Sequence, residues 1–413
     1  MKIAVIHQYY LLPGASGGSR FNEMTAQWAA AGCEVTVIAG TVDYATGQAP
    51  ARYRRRLVTE ERDGDVRVLR CHVPTTYARG YLGRMWAFLG FIFSSTAAVP
   101  RLGAVDVVVA TSPPLVTAIP GWLASRRRGR RPQWIFEVRD LWPESAVTTG
   151  VLREKALLTR LLYRLEAWAY RRADHVSVLT PAFARDIADR GLAPAEKITL
   201  LPNGADLDLF QPGPRDNAAR RELGWGDRFV VMYAGAHGKA NALHQLVGAA
   251  ELLADRPDIL IACVGDGPER AGLAEQAARA GLTNIVFHGA VPKARMPGIV
   301  NACDVGAAVL QDNPTFRTVY PNKVFDYMAC RRPVLLAIDG VAREMVCDQA
   351  RAGVFARPED PAALAAAIRA LADDPQACAA YGARGSEWVR AHASRRGVGE
   401  RYLELMRRLA GTP

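Results

Sequence analysis

The sequence predicts two doubly wound α/β domains, each a parallel sheet with helices on both faces. Three observations carry this. Short β-branched apolar runs alternate with helical patterns, the alternation restarts midway, and a stretch rich in Pro, Gly and Asp, "LPNGADLDLFQPGPRDN", separates the two series. The first series opens with the strand "KIAVIHQYY", the loop "LLPGASGGSR" and a helix over 21–31 that Gly32 stops. "CEVTVIAG" follows as a second strand, then "VDVVVATSP" at 105–113, "QWIFEVRD" at 133–140 and "HVSVLT" at 175–180. The second series runs "FVVMYAG", "ILIACVGDG", "IVFHGAV", "VGAAVL" and "PVLLAI", and helical patterns fill the chain beyond Pro375. The expected division is an N-terminal domain over 1–205, a C-terminal domain over 206–385, and a helical tail over 386–413 that crosses back to the first.

A chain of 413 residues, half of them apolar, has enough material for two cores. Its formal charge of +11 is unevenly spread: residues 1–200 hold 27 Lys and Arg against 17 Asp and Glu, and residues 201–413 hold 25 against 24. The basic half is expected to face an anionic partner. Seven cysteines without CxxC spacing read as reduced, buried thiols, and "MKIAVIH" has no signal-peptide character, so the expected location is cytoplasmic. Two segments qualify that reading. The uncharged run 85–99 falls short of the ~20 residues of a spanning helix. It reads either as a buried helix or as one dipping into a bilayer surface on Trp86, Phe88, Phe91 and Phe93. The basic run at 125–132, "SRRRGRRP", lacks interleaved aromatics, which disfavours nucleic acid and leaves an anionic membrane as its partner.

Ligands of doubly wound sheets sit beyond the carboxyl ends of the strands, so candidate chemistry is sought in the loops there. In "YPNKVFDYMACRRPV", at 320–334, Pro321 suits a helix start. The free N–H groups of Asn322, Lys323 and Val324 would then suit a diphosphate, with a ribose diol on Asp326. Three loops converge on the same edge: "YAGAHGKAN" with Gly235, Gly238 and Lys239, "VGDGPE" with Gly265, and "FHGAVPK" with Val291. In the first half, "PGASGGSR" offers Gly17, Gly18 and Arg20 to a phosphate. "FEVRDLWPES" sets Arg139 and Asp140 at a strand end, Asp140 as a base or an orienting group. Neither the dinucleotide fingerprint nor a P-loop is present, and no histidine pair has metal-ligand spacing.

Taken in order, "HQYYLLPGASGGSR", "EVRDLWPES", "LPNGAD", "YAGAHGKA", "VGDGPE", "FHGAV" and "FRTVYPNKVFDYMACRRPV" resemble the family-4 retaining glycosyltransferases of GT-B architecture, over nearly the whole chain. Within that family they are similar to the fucosaminyltransferase-like branch of O-antigen, capsule and exopolysaccharide assembly. The resemblance implies two Rossmann-like domains facing each other across a cleft. It implies a metal-independent transfer of a hexosamine or deoxyhexosamine, with retention, from a UDP-sugar to a polyprenyl-diphosphate-linked saccharide at the inner membrane face. No cofactor is implied beyond the nucleotide-sugar substrate. The implied donor set is Gly238, Lys239, Gly265, Val291, Thr318, Tyr320, Asn322, Lys323 and Asp326, with Asp140 and Lys239 catalytic and Gly17, Gly18, Arg20 and Arg139 on the acceptor and phosphate side. Four positions depart from the family pattern. Thr318 and Asp326 replace a pair of glutamates, Arg139-Asp140 replaces His-Asp, and Ala236 stands where a basic residue is usual. The competing readings are a sugar-nucleotide epimerase of the same fold and a non-catalytic scaffold.

Overall fold

The computed structural model describes residues 1–12, 20–43, 46–76, 80–126 and 131–411. The chain divides into two compact units, Met1–Pro202 with Arg396–Pro413, and Asn203–Arg395. The dividing points differ from the expected ones for local reasons. Asn203 already donates to the Asn322 side chain at 2.7 Å, and Ala205 bridges in parallel to Ser394, which holds both crossing segments in the second unit. The helix Pro375–His392 also stays there, packed on the helix Asn322–Ala329.

The first unit holds β1 (Lys2–His7), β2 (Glu34–Gly40), β3 (Val58–Asp63), β4 (Val66–Cys71), β5 (Val107–Ser112), β6 (Gln133–Val138), β7 (His175–Val178) and β8 (Ile198–Leu200) in the order β3-β4-β2-β1-β5-β6-β7-β8. All pairs are parallel except β3–β4, an antiparallel hairpin at the edge. The sequence reading passed over this hairpin because β3, "VTEERD", is half-exposed and charged and lacks the apolar run of a buried strand. The second unit holds β9 (Phe229–Ala234), β10 (Ile259–Val264), β11 (Ile285–His288), β12 (Val305–Val309), β13 (Val334–Ala337) and β14 (Gly353–Phe355) in the order β11-β10-β9-β12-β13-β14, all parallel. Strand order reverses between β1 and β5 in one unit and between β9 and β12 in the other. These are the topological switch points where such sheets open a crevice.

Alternation along each strand feeds two cores. Val230 and Met232 join Phe325, Tyr327 and Met328 on one face of the second sheet, while Val231 and Tyr233 join Leu246 and Ile368 on the other. In the first unit, the helix Arg395–Ala410 returns across the sheet and buries Val398, Tyr402 and Met406 against Trp28, Val5 and Val37. Trp28 Nε1 donates to the Gly399 carbonyl at 3.0 Å, and Tyr402 reaches Ser177 at 3.1 Å.

The segment 80–100 folds as the helix Gly80–Ala98, packed on β2, β3, β4 and the helix Ala118–Ser125. Its two readings divide between its two faces. Phe91 is fully buried, so it is a core residue and not a surface anchor, whereas Trp86, Leu89 and Phe93 are 60%, 52% and 69% exposed. Their i, i+3, i+7 spacing sets them in one outward stripe. The window Met85–Leu102 is long and apolar enough to cross a membrane by length and composition, and 44% of it is buried against the protein. In the basic run, Arg126 lies over the Trp122 ring and Arg131 pairs with Asp174, while 127–130 fall outside the described residues.

Candidate functional site: the switch point of the second unit

The strand ends of the second unit are tied together by their backbones. Gly235 N–H donates to the Val264 carbonyl at 2.9 Å, His237 N–H to Asp266 at 2.9 Å, and Gln311 N–H to Ala240 at 3.0 Å. The loops after β9, β10 and β12 therefore form one rim. Gly265 has φ +141°, and a Cβ there would lie 1.9 Å from the Gly235 carbonyl oxygen, so only glycine fits this crossing. Gly238 carries no such constraint: its φ is −111° and a Cβ would meet only ordinary contact. The close approach expected at Gly235 and Gly238 belongs to Gly235 and Gly265.

The helix Asn322–Ala329 is seated under this rim by Tyr327. Its hydroxyl accepts from the Ala234 N–H at 2.9 Å and donates to the Ala307 carbonyl at 3.3 Å, spanning β9 and β12 at the switch point. Gly306 makes room, since a Cβ there would collide with the Tyr327 ring. Pro321 caps the helix with extended backbone, and Val324 N–H turns back onto the Pro321 carbonyl at 3.1 Å. Val324 is thus removed from the expected trio of free N–H groups. The Asn322 side-chain oxygen accepts from Asn203, which joins "LPNGAD" to the site.

Lys323 is the distinctive cation. Its Nζ stands 3.6 Å from the centroid of the Tyr233 ring, and a Cβ on Gly235 would lie 3.0 Å from that nitrogen. A cation over an aromatic face gains about 0.5–2 kcal/mol, more as water is excluded. Burial pushes the ammonium down to about 7. The Tyr233 hydroxyl donates to the Ala236 carbonyl at 2.8 Å, which fixes the ring beneath the lysine. Lys239, the expected clamp, is an exposed side chain on the 3₁₀ turn Lys239–Asn241. Thr318 donates to the Thr315 carbonyl at 2.7 Å, Tyr320 stacks edge-on against Phe325, Val291 borders the core, and Asp326 lies half-buried one turn into the helix.

His237, in the loop after β9, is a buried histidine at this rim. It is fully buried between Tyr233 and Phe287, and among the described residues neither ring nitrogen has a hydrogen-bond partner. Burial first, then the charge of Arg270, holds its pKa below the usual imidazole value. Nothing in the sequence marks it, because its isolation depends on the neighbouring rings.

The first unit gathers a second set at its own switch point. His7 ends β1 and bonds Thr111 of β5 through Nδ1 at 2.8 Å, while Arg139, just beyond β6, donates to its Nε2 at 3.4 Å. Burial and then the charges of Arg139 and Arg20 push the His7 pKa far down, which suits an imidazole that accepts at Nε2. Asp140 accepts from Ser145 Oγ at 2.7 Å, and burial raises its pKa above the ordinary carboxylate value. Arg20 is corrected. Its guanidinium donates to the Pro202 and Leu201 carbonyls at 2.7 and 2.9 Å and pairs with buried Glu137 at 3.4 Å. Both Nη groups are taken up by backbone carbonyls while Nε faces Glu137 without a hydrogen bond among the described residues, so Arg20 acts as a tie within this unit rather than as the expected phosphate ligand. Gly17 and Gly18 lie outside the described residues. Among the described residues no cluster of His, Cys, Asp and Glu suits a metal ion, and all seven cysteines are free.

Both halves match known families. Residues 17–204 match the glycosyl transferase 4-like domain, and residues 228–374 match the glycosyl transferases group 1. The chain is 25% identical over 238 residues to the probable glycosyltransferase WbjE of Pseudomonas aeruginosa, covering 57% of this chain and 59% of that one. It is 24% identical over 379 residues to the putative colanic acid biosynthesis glycosyl transferase WcaI of Escherichia coli, covering 89% and 91%. The match to WbjE thus spans less than two thirds of that relative's length. Among solved structures, sucrose-phosphate synthase from Thermosynechococcus elongatus superposes with a TM-score of 0.76 at 21% identity over all of both chains. HepE of Anabaena, solved with UDP-glucose, gives 0.71 at 20% identity over 98% and 99%. With two doubly wound parallel sheets, and family models that together span most of its length, the chain belongs to the glycosyltransferases of the GT-B fold.

Proposed function

We propose that this chain transfers a hexosamine or deoxyhexosamine, with retention and without a metal or other cofactor, from a UDP-sugar to a lipid-diphosphate-linked saccharide during surface-polysaccharide assembly. It belongs to the fucosaminyltransferase-like branch and works in the cytoplasm at the inner membrane face. The observation that carries the reading is the anion-ready switch point of the second unit. A helix start, a Gly235–Gly265 crossing and the Lys323 ammonium all meet there, where a doubly wound sheet holds its ligand. WbjE and WcaI by their names, and HepE by its UDP-glucose complex, support the glycan role and the UDP donor. As the glycosidic bond breaks, negative charge grows on the β-phosphate. A cation and helix N–H groups placed there stabilise that state more than the bound donor. Asp326 binds the ribose, Lys239 closes over the diphosphate from the exposed turn, and Asp140 with Arg139 orients the acceptor. The apolar stripe of Trp86, Leu89 and Phe93, in the basic half of the chain, meets the bilayer surface.

Calorimetric titration with UDP, GDP and ADP in the presence of EDTA, followed by a panel of UDP-sugars, tests the donor site. Micromolar binding of UDP, reduced at least tenfold by Asp326→Asn, is the expected result; binding of no nucleotide removes the enzyme reading. The anomeric configuration of the product, read by NMR, decides retention.

A further inference from the structure

The family pattern places a basic residue directly after the first glycine of the second unit, and this chain has Ala236 there. The structure fills that place from elsewhere. Lys323 leaves the second position of its helix and leans toward the helix N-terminus, as helical side chains do, which carries its nitrogen over the turn that begins at Gly235. The Tyr233 ring supports it from below at 3.6 Å. Among the described residues it forms no ion pair, whereas Arg256, Arg317 and Arg369 on this unit's surface do. A largely buried cation with no carboxylate partner, directed at the switch point beside free helix N–H groups, lacks an anion.

We propose that Lys323 is the cation that receives the donor's diphosphate, in place of the basic side chain absent at 236, and that it takes up a proton from solvent when the diphosphate binds. This rests on the donor-site reading above and adds to it the identity of the principal phosphate ligand and a proton linkage. The titratable groups facing Lys323 are Tyr233 of β9, Cys263 of β10 and His237 of the loop after β9, with Asp326 one turn along its own helix. None brings a hydrogen-bonded carboxylate to the ammonium. In the ligand-free protein burial therefore holds much of the lysine neutral above pH 7, as its pKa of about 7 expresses. A diphosphate supplies the missing negative charge and returns the group to its charged form. No covalent bond changes; one proton moves from solvent to Nζ.

The test is calorimetric titration of the full chain with UDP at pH 8.0, in buffers of different ionisation enthalpy, which gives the protons exchanged per UDP bound. At this pH the terminal phosphate of UDP is already ionised, its second pKa being about 6, so it takes up none. The expected result is uptake of about one proton per UDP at pH 8, falling to about half a proton at pH 7, where the free lysine is already about half charged. Lys323→Arg, charged at every pH used, binds UDP without uptake. Lys323→Met weakens UDP by about 10–100-fold, as loss of a charged hydrogen bond does. Lys239→Met leaves the proton count unchanged. UDP binding by the native chain with no proton uptake overturns the proposal while leaving the donor site standing, and so does unchanged affinity in Lys323→Met. Failure of UDP to bind at any pH overturns the donor site itself, and the two failures are told apart in one experiment.

Discussion

Lys323 shows how one residue is governed by what surrounds it. An ordinary lysine titrates near 10.4, and burial brings this one to about 7. Between those values the unfolded chain holds the proton and the folded chain does not, so stability of the ligand-free protein rises with pH across that window. Urea melts of the second unit from pH 7 to 9.5 should show this rise, and Lys323→Met should flatten it; an unchanged slope in the variant assigns the effect to other groups. Asp326 and Lys239 take different parts. Asp326→Asn keeps the side chain's shape and removes charge, so the expected loss is in donor affinity with the fold intact. Lys239 is exposed, and Lys239→Ala should slow transfer without moving the melting temperature; normal turnover would end its role in the diphosphate clamp. Arg20 behaves in the opposite way. Bound to two carbonyls and Glu137, it contributes to stability, and its replacement should lower the melting temperature before it affects ligand binding.

At the scale of elements, the helix Gly80–Ala98 has two functions on two faces. Its inner face seals the sheet: Phe91 is fully buried, and truncating such a side chain to alanine costs about 3–5 kcal/mol. Its outer face presents Trp86, Leu89 and Phe93 to solvent, a stripe without a partner on this chain among the described residues. Replacing Trp86 and Phe93 together by serine should release the protein from anionic liposomes in a flotation assay and leave its thermal unfolding unchanged, while Phe91→Ser should unfold the first unit. Retention of liposome binding by the double variant would remove this helix from the membrane contact. The helix Asn322–Ala329 is set more rigidly. Tyr327 pins it to β9 and β12 at once, so the donor helix cannot shift without breaking two buried hydrogen bonds.

Over the whole molecule, charge and chain path are the informative features. The basic excess is confined to residues 1–200, so adhesion to anionic vesicles should weaken with salt, while nucleotide binding by the enclosed lysine should be less sensitive. The chain's path couples its end to its beginning. Val398, Tyr402 and Met406 complete the core around Trp28, so removing residues 396–413 strips one side of the first sheet and leaves the second unit whole. Calorimetry of that truncation should show the second unit's transition intact and the first displaced to lower temperature.

Much of this was legible in the sequence. Parallel strands buried on both faces must be apolar runs, and their alternation with helical periods fixed the fold class and the second unit's six-stranded series apart from β14, too short to stand out. The glycine turns and "PNKVFDYMA" located the donor edge, because close backbone approach and a helix start leave residue-type marks. Other features belonged to the tertiary structure alone. The charged edge strand β3 has no buried-strand pattern, the return of the last helix depends on a surface formed some 370 residues earlier, and Arg20 reads as a phosphate ligand until its carbonyl partners come into place. Which lysine holds the diphosphate depends on burial and on the Tyr233 ring beneath it. Sequence sets the charge of a side chain; its desolvation is set by residues distant along the chain, and only folding brings them together.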